Sequence, residues 1–276
     1  MNWSVMKNSL AACILTGILF SLPGFSQAAP DLMVYPTRVV MTDRERTAQV
    51  DIINTSQMNA SYKISLVRKR MTDTGGFEDV VTPEPAEKFT DEMVKFSPRQ
   101  VTLLPGAGQT IRMMFKMPGT LEEGEYRSHL VFTKMAAGIS DLSEKDAADP
   151  GTVSMRVKAN IGVSIPVIAR HGKLEAQAAI DPLSVKLTTV EPKQQLVGLT
   201  LTRSGTRSVY GDIVVYRGTE KVAVGNGLAI YTPNLKRKIG VPVLENILLK
   251  PGENIRVVFT ERDEKKPMAE TTITIP

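Results

Sequence analysis

The chain is dominated by residues that alternate between apolar and polar, and the longest such run lies in "GTVSMRVKANIGVSIPVIARHG" (151–172). Side chains of a β-strand point alternately to its two faces, so this run predicts a strand with one apolar face. Strands usually have about 5–6 residues, so this one is longer than a sheet needs. Pro166 cannot donate a ladder hydrogen bond, which favours a position at a sheet edge. The apolar positions are Val153, Met155, Val157, Ala159, Ile161, Val163, Ile165 and Val167.

Shorter alternating segments fill most of the remaining chain and are separated by turn signals such as "DTGG" (73–76) and "RSG" (203–205). Short strands at roughly 8–12-residue spacing are typical of all-β sandwiches and barrels. No long amphipathic helix is indicated. Examples of the alternating sets are Ala48/Val50/Ile52, Tyr62/Ile64/Leu66, Ile111/Met113/Phe115, Val197/Leu199/Leu201 and Ile255/Val257/Phe259.

A faint internal repeat indicates two related sandwiches. "LPGAGQTIRMMF" (104–115) and "LKPGENIRVVF" (249–259) share Pro-Gly, a short polar gap, Ile-Arg, two apolar residues and Phe. The boundary is expected between them, and "ARHG" (169–172) directly follows the long strand. The predicted organisation is an N-terminal domain at 29–169, a linker at 170–173 and a C-terminal domain at 174–276.

The N-terminus has the pattern of a secretory signal peptide, predicted to span 1–28. A basic residue precedes the apolar run 10–20, and small residues precede the expected cut after Ala28. The apolar run is shorter than the about 20 residues that cross a bilayer, so a membrane-spanning chain is not expected. "LAAC" suggests a lipoprotein box, but almost no apolar run precedes Cys13, the single cysteine. A cut after Ala28 therefore leaves no thiol.

No constellation of residues indicates catalysis, so we expect a protein that is not an enzyme and has neither metal nor cofactor. The two histidines, His129 and His171, are far apart, and both are expected at a surface, an edge or a linker. Clustered carboxylates lie in turns, and "VGNGLA" (224–229) lacks the third glycine of a dinucleotide site. Aromatics are 5% and the basic residues are scattered among acids, which argues against nucleic-acid binding.

Binding by the long strand is the remaining function that the residues themselves suggest. An exposed edge can be given to another chain as an added strand. Alternatively, the strand pairs only inside its own sandwich, and its apolar side chains fill that core. A strand that is longer than its own sheet requires can both fill its own core and pair with another chain. The polar segment 136–152, which precedes the strand, is expected to be mobile.

Three segments resemble, in order, the periplasmic pilus chaperones of chaperone–usher systems. "YPTRVVMTDRERTAQVDIINTS" (35–56) resembles the first two strands of that family. "FSPRQVTLLPGAGQTIRMMF" (96–115) resembles its P-x-x-x-x-L-x-P-G-x-x-Q-x-(I/V)-R segment. "LEEGEYRSHLVF" (121–132) resembles the strand that follows its L-P-x-x-x-E-(S/Y) region. Run 153–167 then falls at the subunit-binding strand, and the branch that it is most similar to is the archaic one.

The resemblance implies two immunoglobulin-like domains in an L-shaped arrangement and a chaperone of the periplasm. Such a chaperone lends a strand to an incomplete pilus subunit and passes the subunit to an outer-membrane usher. Burial of about five alternating side chains contributes roughly 1.5–3 kcal/mol each, offset by the cost of association. The register is open by two residues either way, since such a slip keeps the same face. The expected donor residues are Met155, Val157, Ile161, Val163 and Ile165.

The resemblance also implies an Arg and a Lys that hold the subunit's C-terminal carboxylate between the domains. Arg38, in "PTRVV", matches the Arg, and a guanidinium binds a carboxylate by two charge-assisted hydrogen bonds. The Lys is missing, because its place falls near Ser164–Pro166. Arg127, on the neighbouring predicted strand, is the expected substitute.

Two alternatives remain open at this point. The chain is then either an exported two-domain β-sandwich component of a surface fibre, or an exported enzyme or sugar-binding sandwich. Against the first, a fibre subunit is a single incomplete domain, whereas this chain is predicted to have two domains. Against the second, the sequence indicates no cluster of carboxylates or histidines that forms a site. A homodimer that caps the long strand when no subunit is bound is a further expectation. The residues do not indicate which subunits are bound.

Overall fold

The computed structural model describes residues 31–135, 162–190 and 194–276, and every regular element in these ranges is a β-strand. The predicted all-β fold is therefore confirmed. Within the same ranges no helix is long and apolar enough to cross a membrane. The predicted signal peptide, the polar segment 136–152 and the donor residues Met155, Val157 and Ile161 lie outside the described residues.

Among the described strands, β1 to β11 lie N-terminal to residue 172, and nine of them form a sandwich. Its two sheets have the orders β1-β3-β9-β7 and β2-β11-β10-β4-β8, while β5 and β6 form a separate hairpin. The strands are β1 Leu32–Tyr35, β2 Val39–Thr42, β3 Thr47–Asn54, β4 Ala60–Val67, β5 Lys69–Met71, β6 Phe77–Asp79, β7 Val94–Ser97, β8 Gln100–Leu103, β9 Gly108–Phe115, β10 Gly124–Lys134 and β11 Gly162–His171. Alternate side chains of both sheets bury a common core that includes Met41, Ile52, Ile111, Leu130 and Phe132.

A second sandwich follows, with sheets β12-β13-β16 and β15-β14-β17-β18 around a separate core. Its strands are β12 Ala176–Val190, β13 Gln194–Gly205, β14 Val209–Arg217, β15 Glu220–Ile230, β16 Lys236–Pro242, β17 Asn254–Glu261 and β18 Ala269–Thr274. Two sandwiches with separate cores confirm the predicted fold class. The domain limits at 169 and 174 and the L shape stay predictions.

The internal repeat corresponds to a turn and strand that recur in both sandwiches. Gly106 and Gly252 both adopt positive φ, at 73° and 85°, in the turns that precede β9 and β17. Glycine has no Cβ and adopts this conformation without strain. After each turn, the isoleucine and phenylalanine of the repeat point into their own core, so the shared pattern records the same corner in two sheets.

Strand β11 is covered unevenly by its neighbours. Strand β10 pairs with it antiparallel along its whole length, from Gly162 to His171. Strand β2 pairs with it in parallel, but only along Val167–Arg170. Among the described residues, the segment 162–166 therefore has a strand on one side and an open edge on the other. The predicted edge position of Pro166 is confirmed by this pairing.

A buried carboxylate joins the two sandwiches. Glu125, on β10, has a fully buried side chain and accepts hydrogen bonds from Arg170 Nε at 2.9 Å and from Ser208 Oγ at 2.9 Å. The main-chain N–H of Ser208 also donates to both carboxylate oxygens at 3.1 Å. A small apolar cluster beside this joint contains Met71, Ile168, Ala229 and Tyr231.

The connection after β11 is held by a second carboxylate. Asp43, in the turn after β2, accepts a hydrogen bond from the main-chain N–H of Gly172 at 3.0 Å. Its other oxygen lies 2.9 Å from His171 Nδ1. The hydrogen bond from Gly172 and the contact with His171 lower the pKa of the Asp43 carboxyl. The carboxylate thus stays charged and fixes the start of the connection to the first sandwich.

The β5–β6 hairpin reaches from the first sandwich to the second. Asn234 Nδ2 donates to the Met71 carbonyl at 3.0 Å, and the main-chain N–H of Lys238 donates to the Asp73 carbonyl at 2.7 Å. Glu125 and the hairpin therefore hold the two sandwiches together at two separate places, and Asp43 fixes the start of the connection between them.

Replacement of Glu125 by Ala is expected to destabilise the protein by roughly 3 kcal/mol, because it leaves Arg170 and the Ser208 N–H without their buried partner. Urea unfolding monitored by circular dichroism measures the change. Glu122→Ala is the matched control, since the Glu122 side chain is 81% exposed and forms an exposed ion pair with Lys88. Equal stability of the two variants would contradict the role given to Glu125.

Candidate interdomain binding site

Strand β10 carries a row of polar side chains that are buried rather than solvated. Glu125, Arg127 and His129 occupy alternate positions and so share one face of the sheet, opposite to the first core. Arg127 is 4% exposed and His129 2% exposed. The expected surface or edge position of His129 is wrong, because Phe77 of β6 packs on its ring with centroids 4.4 Å apart.

Arg127 lies between two aromatic rings. Its guanidinium carbon is 4.7 Å from the ring centroid of Tyr231 and 5.7 Å from that of Phe77. Its NH1 is 2.9 Å from His129 Nε2, while its Nε is buried and has no hydrogen-bond partner among the described residues. Burial lowers the pKa of Arg127, but a guanidinium keeps its proton in proteins. The sheet therefore carries a buried positive charge at this point.

The state of His129 follows from its two neighbours. A guanidinium has donors only, so Nε2 of His129 must accept from Arg127, and Nδ1 must carry the ring proton. Nδ1 lies 2.9 Å from Ser164 Oγ and donates to it. Burial first, and the charge of Arg127 second, lower the pKa of His129 to about 3. The imidazole is thus neutral near neutral pH.

Arg38 lies directly before β2 and faces the second sandwich. Its guanidinium carbon is 4.7 Å from the ring centroid of Tyr210 and 5.3 Å from that of Tyr231. Its NH2 donates to Ser208 Oγ at 3.4 Å, and its NH1 is buried without a partner among the described residues. Burial raises the pKa of Tyr231, which keeps its hydroxyl protonated. Arg38 also lines an open pocket of about 480 Å³ between the sandwiches.

The structure brings the two predicted anchor residues to one ring. Arg38 and Arg127 both lie over Tyr231, so two guanidiniums share one aromatic contact. Each has a buried nitrogen without a partner among the described residues. Buried donors without partners are rare, and a carboxylate is a ligand that satisfies two cations at once.

The described part of the predicted donor strand faces its own core. Ile165 is 3% exposed and Val163 is partly buried, and both pack on the core of the first sandwich. Ser164 and Pro166 therefore point to the opposite face, which carries His129. A donor role for Val163 and Ile165 stays a prediction.

Sequence reasoning did not find His129, Ser164 or Tyr231 as members of this site. The alternation of β10 puts His129 on the same face as Arg127, and this spacing was the available signal for that pair. Tyr231 comes from the second sandwich, and nothing in the sequence places it beside β10.

The contact between Ser164 and His129 is not a nucleophile and its base. A general base needs a free lone pair toward the hydroxyl, but here Nδ1 carries a proton and donates it. Among the described residues, no group of three or more His, Cys, Asp and Glu side chains is arranged to hold a metal ion. The arrangement suits the binding of an anion.

The chain matches no protein-family model and no curated protein sequence. It is similar, at low identity, to several solved structures. One is the complex of the chaperone CsuC with the tip adhesion subunit CsuE, from archaic chaperone–usher Csu pili of Acinetobacter baumannii. It shows 13% identity and a TM-score of 0.43, over 88% of this chain and 97% of that chain.

Two further structures show similar values. The periplasmic chaperone SfaE has 15% identity and a TM-score of 0.41, over 88% of this chain and all of the other. The chaperone YadV has 13% identity and a TM-score of 0.44, over 89% of this chain and all of the other. The assignment to the archaic branch stays a prediction.

His129 is expected to make stability depend on pH. The unfolded histidine takes up a proton near its ordinary pKa of 6.5, whereas folded His129 does so only near 3, so stability falls as pH falls through this window. Between pH 7.5 and 5, wild type should lose about 2 kcal/mol relative to His129→Gln.

Urea unfolding at both pH values measures this difference. His171→Gln is the control, since it leaves His129 in place and should keep the response assigned to His129. A pH response that is the same in wild type and His129→Gln would show that His129 is not held neutral.

Proposed function

We propose that this chain is a periplasmic chaperone that binds pilus subunits through the open edge of β11 and holds a subunit's C-terminal carboxylate at Arg38. The observation that supports this proposal is that the open edge of β11 ends near the guanidiniums of Arg38 and Arg127.

The direction of an added strand follows from β2. Strand β2 runs parallel to β11 and occupies its edge from Val167 onward. A strand added along 162–166 lies in line with β2, and if it is parallel to β11, its C-terminus meets the start of β2. Arg38 is the residue directly before β2, so it receives the terminal carboxylate. Main-chain hydrogen bonds along the edge then supply affinity that does not depend on sequence.

The apolar side chains of the predicted donor strand fill the groove of the subunit. Met155, Val157 and Ile161 precede β11 in the sequence and continue its apolar alternation, and we assign the filling of the subunit's groove to these residues. Val163 and Ile165 already contact their own core, so they also fix the strand to its own sandwich. The register on the subunit stays open by two residues either way.

Arg127 and Arg38 have different roles. Arg38 lines the open pocket and contacts the carboxylate, whereas Arg127 is almost fully buried against Tyr231 and acts on the carboxylate only through its charge. Two positive charges near one carboxylate stabilise it more than one does, since burial reduces the screening by solvent.

Further parts of the proposal concern the protein's surroundings. The bound subunit is passed to an outer-membrane usher, and the segment 1–28 directs export to the periplasm and is then removed. The free protein caps the same edge with a second copy of itself. The domain limits 29–169, 170–173 and 174–276 and the L shape belong to the same proposal.

A designed peptide tests the anchor without a known subunit. We choose a ten-residue peptide of alternating Val and Thr, prepared with a free C-terminal carboxylate and with a C-terminal amide. Wild type should bind the free acid at least about tenfold more tightly than the amide, because hydrogen bonds between charged groups contribute roughly 1.5–3 kcal/mol. Isothermal titration calorimetry measures both affinities.

Arg38→Ala should remove this preference and leave the affinity for the amide unchanged. Arg262→Ala is the matched control, because Arg262 lines the same pocket and lies over Tyr210 but is paired with Asp212 at 3.0 Å. Absence of binding by both peptides, or equal affinities for wild type, would count against the proposed function. Binding of the peptide with no carboxylate preference fits instead a fibre component that uses the edge for its own polymerisation.

A further inference from the structure

The β5–β6 hairpin belongs to neither sandwich, yet it contacts both. Strands β5 and β6 pair with each other and with no further described strand. The Met71 side chain lies in one apolar cluster with Ile168 of the first sandwich and with Ala229 and Tyr231 of the second. An isolated two-stranded hairpin is at best marginally stable in water, so this one depends on its contacts with the sandwiches. We call residues 69–79 the clasp.

The tip of the clasp closes on one arginine of the second sandwich. Gly75, at the tip, has a φ of 91°. A Cβ added to Gly75 would overlap Nε, Cζ and NH2 of Arg237, so the guanidinium lies directly against the main chain of Gly75. NH1 of the same guanidinium donates to the Ala229 carbonyl at 2.9 Å. Glycine is therefore required at position 75 both for its backbone conformation and for the space that Arg237 fills.

The position of Arg237 on β16 suits this contact. Ile239 and Val241, on the same face of β16, are buried in the core of the second sandwich. Arg237 continues that row at the end where the clasp lies. The next residue adds a main-chain contact, because the Lys238 N–H donates to the Asp73 carbonyl at 2.7 Å. Strand β16 is an edge of its sheet, so the clasp also covers part of an edge.

We propose that the clasp sets the orientation of the two sandwiches relative to each other, and that Arg237 is the positioning residue that holds the clasp closed through Gly75. This inference concerns the protein without a ligand and goes beyond the proposed function. Either proposal can fail while the other stands.

The clasp sets an orientation because it is a second attachment, away from the first. Glu125 joins the sandwiches at Ser208, and its partner Arg170 lies directly before the connection between them. An attachment beside the connection acts as a pivot. The clasp meets β10 four residues later, at His129, where the Phe77 ring packs with centroids 4.4 Å apart. Four residues of a strand span about 13 Å, so two attachments at this separation oppose pivoting.

The orientation has a direct consequence for the interdomain site. Tyr231 belongs to the second sandwich, whereas Arg38 and Arg127, which lie over its ring, belong to the first. The ring of Phe77 lies 6.0 Å from that of Tyr231, so the clasp contacts the same aromatic side chain. A change in orientation would separate Tyr231 from both guanidiniums.

The distance between two spin labels measures the orientation in the full-length protein. Lys95→Cys and Lys250→Cys place a label at an exposed position of each sandwich, and Cys13→Ser removes the single natural cysteine. Double electron–electron resonance should give one narrow distance. Adding Arg237→Ala should broaden this distribution, whereas Lys236→Ala, at an exposed neighbouring position, should leave it narrow.

A matched pair of glycines separates the contact from backbone strain. Gly106 also has a positive φ, at 73°, but a Cβ added there meets no atom within 4 Å. Gly75→Ala should therefore broaden the distance distribution and Gly106→Ala should not. In the Arg237→Ala protein, Gly75→Ala should add no further broadening, because the guanidinium that it displaces is absent.

The ring of His129 reports on the clasp independently of any label. Burial holds the pKa of His129 at about 3, and Phe77 of the clasp covers its ring. In Arg237→Ala the pKa of His129 should rise, so that the ring binds its proton at least about tenfold more tightly, because an opened clasp leaves a histidine of ordinary pKa. NMR titration of the ring measures this change, and Lys236→Ala should retain the wild-type titration.

Three results would overturn the inference. The first is Arg237→Ala with the narrow distance of Lys236→Ala, even if the titration of His129 changes, since the clasp would then cover β10 without setting the orientation. The second is equal broadening by Gly75→Ala and Gly106→Ala. The third is additive broadening by Gly75→Ala and Arg237→Ala, since the two residues would then act separately. None of these results involves the acid and amide peptides, so the proposed function is tested apart from them.

Discussion

The proposed function depends most on the short parallel pairing between β2 and β11. It covers four residues of β11, Val167–Arg170, and within the described residues it leaves the segment before them with an open edge. It also sets the direction of any strand that continues β2 along that edge, and it places Arg38 at the meeting point. If β2 began two residues earlier, it would pair with Pro166 as well, and Arg38 would no longer lie where the open edge of β11 ends.

The buried charges on β10 exist because the second sandwich covers them. A guanidinium such as Arg127 is costly to bury, and aromatic faces compensate for only part of its lost hydration. Glu125 holds the covering sandwich in place through Ser208, so the carboxylate at one end of the row maintains the burial of the cation beside it. Real proteins accept such local costs mainly at functional sites, which fits a row of polar residues at a junction.

The strands and the two sandwiches were predictable because alternation with a period of two is written into the chain itself. The position of Arg38 directly before a strand was also predictable from a short motif, while its role as an anchor stays a prediction. The burial of His129 was not, because it depends on Phe77 from a hairpin and on Tyr231 from the other sandwich. The face of Ile165 was equally hidden: alternation shows that one face is apolar, but not whether that face meets its own core or another protein.

The β5–β6 hairpin has a consequence for how a ligand is received. Its main-chain carbonyls accept hydrogen bonds from the Asn234 side chain and the Lys238 N–H, which cross from one sandwich to the other in addition to the contacts of Glu125. Domains that are connected only by a linker usually rotate against each other, and a ligand between them must first arrest that rotation. Here folding already removes that rotational freedom, so the cleft is preorganised, and in the proposed function a bound strand end loses less entropy on association.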